Sequence, residues 1–379
     1  MKNKDIYEYD IVIVGGGISG CEAAYTSADN EARTLLLSIS MDNIGYMAFG
    51  NVVSVKRGIA AAGEKIWNSL IFSQTAKDNM IGTKDIICAE IENNGDKIIV
   101  DRKRHMMDMK RKIESQENLS TRQGLVTEVS FDNNTYNTIT SDGTSYKSRA
   151  VILSCGTYLD SYIFWGGYSF AAGRPGEITS KRLIINIMKM GFRFEPSMIY
   201  VGPKIDGRTL DLKNNRIEKI VYYPVYLGKS CIDYINSTSV NIKYSKNLES
   251  TGNVKNNIPI EEIISGPAKK RKYKVDIVTE GKDTREMYID GFNTAMDGDM
   301  QSSALKLIEG LENAIITRPG YGISYNTLSP LQINKKLESK KFPGLYFCGK
   351  INGALEYEDS ATQGYIAGIN AVRRINNIK

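Results

Sequence analysis

Residues 9–40 read "YDIVIVGGGISGCEAAYTSADNEARTLLLSIS", and the fold turns on them. From Asp10 to Val14 the chain is a short, continuous apolar run of the kind buried on both faces of a parallel sheet. Gly15, Gly17 and Gly20 then supply the spacing G-x-G-x-x-G, opening a run of helical character. Each glycine has a separate steric task. Gly15 permits the tight turn, Gly17 lets backbone N–H groups approach a diphosphate, and Gly20 lets the helix lie close on the sheet. The positive end of that helix then faces the phosphates. The second strand, "TLLLSIS", ends without the acidic residue that usually holds an adenosine ribose; Ser38 or Ser40 stands there instead. A nicotinamide dehydrogenase is therefore disfavoured.

Working outward, residues 101–119 read as a charged helix, and 124–160 as a β-meander with Asn/Asp/Gly turns that returns to a buried strand at 150–155. That strand ends in "CGTYL", with Gly156 and Thr157 beside the expected cofactor. Residues 342–372, "FPGLYFCGKINGALEYEDSATQGYIAGINAV", repeat the theme: a strand from Leu345 to Cys348, Gly349, and a helix beginning between Glu358 and Gly364 and holding Gly368. Two glycine-rich strand ends ~330 residues apart can clasp the two ends of one long cofactor. FAD fits, with its pyrophosphate at the N-terminal turn and its ribityl chain and isoalloxazine N1/O2 edge at the C-terminal loop. The expected class is α/β: an FAD-binding, Rossmann-like, two-dinucleotide-fold domain of glutathione-reductase type. It comprises residues 1–170 and 315–379, interrupted by a mixed α+β substrate domain at 171–314.

Bulk properties narrow the rest. A formal charge of +6 permits a phosphate-rich partner without demanding one. Five widely spaced cysteines with no C-x-x-C pair suggest neither a zinc site nor a disulfide framework. The polar start "MKNKDIYEYD" is not a signal peptide, and no apolar run approaches the ~20 residues of a membrane span, so a cytoplasmic location is expected. The single histidine, His105, lies in "DRKRHMMDMKRK", read as a solvated helix, which gives it a structural role and leaves no Ser/His or Cys/His triad.

At the level of motif order the chain resembles the MnmG (GidA) family, flavoproteins of tRNA wobble-uridine modification. The resemblance rests on "VIVGGGISGCEAA", "TLLLSISMDNIGYM", "AVILSCGTYLD", "GRPGE" with "SKRL", "GPKIDGRTLDL", "EGKDTREMYIDGFNTAM", "GLENAIITRPGYGISYN" and "LESKKFPGLYFCGKINGALEYEDSATQGYIAGINA". It implies a cofactor site at Gly15, Gly17, Gly20, Ser38, Gly45, Val126, Gly156, Thr157, Gly349, Asn352, Gly353, Glu358, Gln363 and Gly364. On the substrate side it implies Arg174, Lys204, Arg208, Arg318, Tyr321 and Tyr325, residues that suit a phosphate-bearing, stackable ligand; their alternative reading is salt bridges and core aromatics that support the fold. NADH or NADPH as reductant, methylenetetrahydrofolate as one-carbon donor, a nucleotide or nucleic-acid substrate and a homodimer are the further expectations.

Departures from the family pattern bear on chemistry. Where the family has a cysteine after its "IGQM" turn, this chain reads "IGYMAFGN", with Phe49 and Gly50; where a second cysteine lies in a YCPSIEDK-like stretch, Lys269 or Lys270 stands. A thiolate that adds to uracil C6 would activate C5, and that nucleophile is missing here. The family's helical C-terminal extension does not follow the last helix, so tRNA recognition by that route is not expected, although Lys269–Lys274 offers phosphate contacts or simply a solvated loop. The leading expectation is FAD redox chemistry on a modified pyrimidine, such as oxidation at an amine C–N bond, without a cysteine adduct; Tyr46, Tyr321 and Glu356 are the catalytic candidates. The alternatives are folate- and FAD-dependent one-carbon transfer to uridine in RNA, and a non-catalytic FAD-binding partner protein.

Overall fold

A strand covered on both faces must be apolar throughout, and Ile11, Val12 and Ile13 are fully buried. The computed structural model describes residues 6–81, 97–210, 222–239, 255–256, 258–266 and 271–378. Strand β1 (Ile6–Val14) lies between β2 (Thr34–Ser38) and the strand Ser145–Leu153, parallel to both. Beyond β2 sits Leu119–Gln123, also parallel. The far edge of Ser145–Leu153 is divided. Its first half pairs antiparallel with Thr135–Thr140 of the meander, and its second half pairs parallel with Leu345–Phe347, in register Leu345↔Val151 to Phe347↔Leu153. Val126–Asp132 completes a seven-stranded sheet. The five parallel ends at Val14, Ser38, Gln123, Leu153 and Phe347 therefore point to one edge, where open α/β sheets bind their ligands.

Helix α1 (Ile18–Asp29) and the last helix, Tyr357–Ile375, cover one face of this sheet and share its core. Their approach is close because of glycine: a Cβ on Gly364 would lie 2.2 Å from the Ser19 carbonyl oxygen, and one on Gly368 would lie 2.8 Å from that of Ala23. The helix Arg102–Ser115 corrects the sequence reading of a solvated element. Arg102, His105, Met109 and Ile113 form a buried stripe, and the His105 ring meets Phe72 edge-on at 5.4 Å. Burial holds that imidazole down to about 4, so it is neutral at physiological pH.

Two further sheets are five-stranded. In one, Tyr162–Trp165 and Tyr321–Leu328 pair with each other, and Tyr321–Leu328 also pairs with Phe194–Val201, so this sheet takes strands from both flanks of the span 171–314. In the other, Lys204–Asp206, Tyr222–Leu227, Tyr273–Thr279, Glu286–Asp290 and Ile316–Arg318 pack with the helices Lys229–Ser239, Ile260–Ser265 and Gly298–Leu305 around a core of their own. Among the described residues no helix is long and apolar enough to cross a membrane.

One buried acid gives the fold a pH dependence. Glu22 of α1 is buried and accepts a hydrogen bond from the Phe72 N–H at 2.5 Å; burial raises its carboxyl from 4.5 to about 8. Because the folded state holds this proton more tightly than the unfolded chain, the stability it contributes is complete below pH 4.5 and is lost as pH rises through about 8. Thermal melts across that window should show Tm falling with pH in the parent and a flatter profile in Glu22→Gln. An unchanged slope would assign the dependence to another group.

Candidate functional site

A cleft opens at the carboxyl ends of the parallel strands, and its floor is the first glycine turn. The Gly15 N–H donates to Leu37 O at 2.8 Å, the Gly45 N–H donates to Gly16 O at 2.9 Å, and the Ser154 hydroxyl reaches the carbonyls of Val14 and Gly15 at 2.9 and 3.0 Å. This tie is tight enough to dictate two of the glycines. A Cβ on Gly15 would sit 2.4 Å from Ser154 O, and one on Gly20 would sit 1.8 Å from Gly15 O. Gly17 differs: a Cβ there meets nothing within 4 Å and enters the open cleft. Gly17 is also the N-cap of the 12-residue α1, and no side chain caps it. The first-turn N–H groups, which lack intrahelical partners, are thus presented to whatever anion fills that space. A backbone cradle of this kind fits the diphosphate of a dinucleotide cofactor.

The cleft holds about 1040 Å³ of space out to solvent. On one side of the turn it is bounded by Ser38, Ile39 and Gly124–Val126, and along its length by Cys155, Gly156 and Thr157. The other end is aromatic and charged, lined by Tyr46, Phe49, Tyr158, Arg174, Glu177, Lys350 and Tyr357. There the Tyr46 ring is flanked by two guanidinium groups, Arg174 at 4.5 Å and Arg102 at 5.0 Å from its centroid. Arg102 also donates to the Tyr46 hydroxyl at 3.0 Å and to Met47 O, and it pairs with Glu280 at 2.5 Å. Arg174 pairs with Glu177 at 2.7 Å, and that carboxylate further accepts from Asn43 Nδ2 at 2.9 Å and from the Tyr158 hydroxyl. The Tyr357 hydroxyl accepts from the Phe49 N–H at 2.5 Å and donates to Gly50 O at 3.2 Å, fixing the wall that carries Phe49.

Of the residues expected at the cofactor and substrate, the cleft brings together Gly15, Gly17, Ser38, Tyr46, Val126, Gly156, Thr157 and Arg174. The others have different surroundings. Gly20 and Gly364 are required by close backbone contacts, and a Cβ on Gly45, whose φ is +70°, would lie 2.6 Å from Met109 Cβ. The Gln363 side-chain oxygen accepts from the Gly349 N–H at 3.0 Å and from Asn352 Nδ2 at 3.2 Å, ordering the turn that Gly353 closes in a left-handed conformation. Glu358 is buried and accepts from the Ser54 N–H, away from the cleft lining.

Glu356, expected to act on a substrate amine or to project to solvent, is exposed and caps the last helix in a reciprocal box with Asp359. Tyr321 and Tyr325 belong to the second sheet, Tyr325 within its core. Three of the expected anion-binding cations are held by carboxylates of their own: Lys204 by Glu280 at 3.1 Å and Glu286 at 3.6 Å, Arg318 by Glu286 at 2.9 Å, and Arg208 by Asp206 at 2.5 Å. All three are ion-paired, Lys204 with its side chain buried and Arg208 and Arg318 with theirs exposed. Sequence reasoning passed over Lys350, Tyr357 and Arg102. The available signal for Lys350 was its place as the single cation in the loop Gly349–Gly353.

Cys21, Cys155, Cys231 and Cys348 are buried, and burial pushes each thiol up to about 12. Cys88, Lys269 and Lys270 lie outside the described residues.

Fold and cleft together define an α/β protein with a Rossmann-like parallel sheet, at whose carboxyl edge a glycine turn presents backbone donors to an open cleft. The family model described as "Glucose inhibited division protein A" matches residues 10–379, and the chain belongs to that family. Its relatives include the tRNA uridine 5-carboxymethylaminomethyl modification enzymes MnmG of Flavobacterium johnsoniae, 31% identical over 97% of this chain and 63% of the relative, and of Karelsulcia muelleri, 32% identical over 98% and 64%. The solved structure of Aquifex aeolicus GidA in its form II crystal superposes with a TM-score of 0.83 at 27% identity, covering 98% of this chain and 64% of that one. The chain thus spans a little under two thirds of the length of these relatives.

Proposed function

We propose that this chain is an FAD-dependent oxidoreductase acting on a modified pyrimidine, in a nucleotide or in RNA, by flavin redox chemistry without a protein thiolate. The observation that carries this reading is the cleft itself, which runs from an uncapped helix N-terminus to an aromatic end flanked by guanidinium groups. The α1 N-terminus and Gly15–Gly17 would hold the diphosphate, and Ser38 and Val126 would line the adenosine side. When bound, FAD supplies the acceptor for a hydride leaving the carbon next to an amine nitrogen. Tyr46, fixed by Arg102 and Arg174, would position a pyrimidine at the aromatic end of the cleft beside Phe49 and Tyr357. Arg174, already balanced by Glu177, orients the ring without adding net charge.

Two observations favour chemistry without a thiolate. Phe49 lines the cleft where the resemblance led to a cysteine, and each described thiol is buried and held protonated. The relatives' names point to uridine in tRNA as the natural context, and the net charge of +6 is compatible with an RNA partner.

The test begins with the visible spectrum of the purified protein after incubation with FAD. Anaerobic bleaching is then followed with nucleosides bearing aminomethyl or glycinyl-methyl groups at C5, with NADH and NADPH, and with methylenetetrahydrofolate. Bleaching by an amine-bearing nucleoside, with release of the amine, is the expected result. Bleaching by NADH or NADPH alone, followed by reoxidation on adding the folate, would replace this reading with one-carbon transfer. A chain that takes up no FAD would overturn both.

A further inference from the structure

The cleft is lined by two cations, Arg174 and Lys350, and they differ in how their charge is met. Arg174 is neutralised by Glu177 at 2.7 Å. Lys350 has no carboxylate within ion-pair distance among the described residues; its ammonium donates to the Leu355 carbonyl and lies 5.6 Å from the Phe49 ring centroid. The backbone around it is rigid, because the turn Gly349–Asn352 is tied to Gln363 and its first residue sits at φ +80°. Lys350 is therefore a positive charge without a direct ion pair among the described residues, held at the aromatic end of the cleft with Glu356 and Asp359 acting on it only from farther away.

The neighbouring helix cannot supply that charge. In two-dinucleotide folds the N-terminus of a last helix is well placed to face the anionic edge of a flavin. Here the N-terminus of Tyr357–Ile375 is already occupied: Glu356 caps the N3 backbone, Asp359 accepts from the Glu356 N–H at 3.1 Å, and Glu358 adds a further acid in the first turn. Those carboxylates cancel the positive end of the helix, and Arg57 offsets one of them, pairing with Asp359 at 2.7 Å.

Resting on the FAD reading above, we propose that Lys350 is the group that compensates the negative charge of the reduced cofactor and so sets its reduction potential. A cation near the N1 edge stabilises the reduced form more than the oxidised form, because only the reduced form carries charge there. The side chain is half-buried, and burial holds its ammonium down to about 8 against the opposing pull of Glu356 and Asp359, which keeps it mostly charged at pH 7.

The experiment measures the two-electron reduction potential of FAD bound to the full chain by equilibration with reference dyes, in the parent, Lys350→Met, Lys350→Gln and Lys350→Arg. FAD occupancy is first read from the visible spectrum of each protein. Both neutral variants are expected to shift the reduction equilibrium at least tenfold toward oxidised flavin, about 30 mV for a two-electron couple. Lys350→Arg should stay near the parent. If Lys350→Gln holds the parent potential, the hydrogen bond to Leu355 matters and the charge does not, and the proposal falls. It falls equally if all variants bind FAD and share one potential. A parent chain that binds no FAD removes the cofactor reading, and this inference with it, which is a distinct result.

Discussion

Gly17→Ala is expected to leave the fold intact and to weaken FAD binding by about 100-fold. The backbone at Gly17, φ −74° and ψ −175°, is open to any L-residue, and a Cβ there touches no protein atom within 4 Å. The cost of losing a glycine N-cap is offset by the reduced freedom of the unfolded chain, so stability should change by no more than about 1 kcal/mol. The new methyl group, however, occupies the space from which α1's first N–H groups would reach a diphosphate. Charge-assisted hydrogen bonds contribute about 1.5–3 kcal/mol each, and the loss of one or two gives the stated factor. Fluorescence titration with FAD, run beside a thermal melt, separates the two effects. Gly20→Ala serves as the contrast, because its Cβ would fall 1.8 Å from Gly15 O and must move α1 itself. Unchanged FAD affinity in a folded Gly17→Ala protein would show that the diphosphate lies elsewhere.

Glu280→Ala is expected to destabilise the protein by about 3–5 kcal/mol, the range for breaking a buried ion pair from one side. Its carboxylate receives Arg102 at 2.5 Å and Lys204 at 3.1 Å, with side-chain exposures of 3% for Arg102 and 11% for Lys204. Among the described residues, removing it leaves Arg102 without a carboxylate partner and Lys204 with only Glu286, at 3.6 Å. The pair also joins two parts of the molecule: Arg102 begins the helix Arg102–Ser115, while Glu280 follows the inserted strand Tyr273–Thr279. Because Arg102 also holds the Tyr46 hydroxyl, loss of Glu280 should loosen the aromatic end of the cleft as well. Urea denaturation monitored by tryptophan fluorescence reads the first effect. A cost below about 1 kcal/mol would mean that water already reaches this cluster and that it is no strut.

The geometry of the glycine turn was legible because its signal is local and steric. Three glycines at fixed spacing after an apolar run leave the backbone few options, and the close contacts at Gly15 and Gly20 are the physical content of that pattern. The meander and the last strand were legible for a similar reason, since turn residues punctuate apolar alternation. The buried face of Arg102–Ser115 was hidden because its first member is an arginine whose partner, Glu280, lies 178 residues away. The partners of Lys204 and Arg318 were hidden by the same distance effect, since only folding brings Glu280 and Glu286 to them, whereas Asp206 stands two residues before Arg208. Lys350 shows the converse: among the described residues no carboxylate forms an ion pair with it, and nothing local in the sequence marks that.

The divided edge of the strand Ser145–Leu153 has a consequence for synthesis. Among the described residues, Val151–Leu153 find their outer partner only in Leu345–Phe347. On a ribosome the nascent chain therefore carries an open parallel edge at its most apolar strand while the intervening residues are made, roughly 10–40 s at ordinary elongation rates. During that interval the inserted region can close its own core, whereas the cofactor region stays incomplete until its last strand emerges. Assembly of the cleft thus waits for Leu345–Phe347 to be made, long after the glycine turn that starts it.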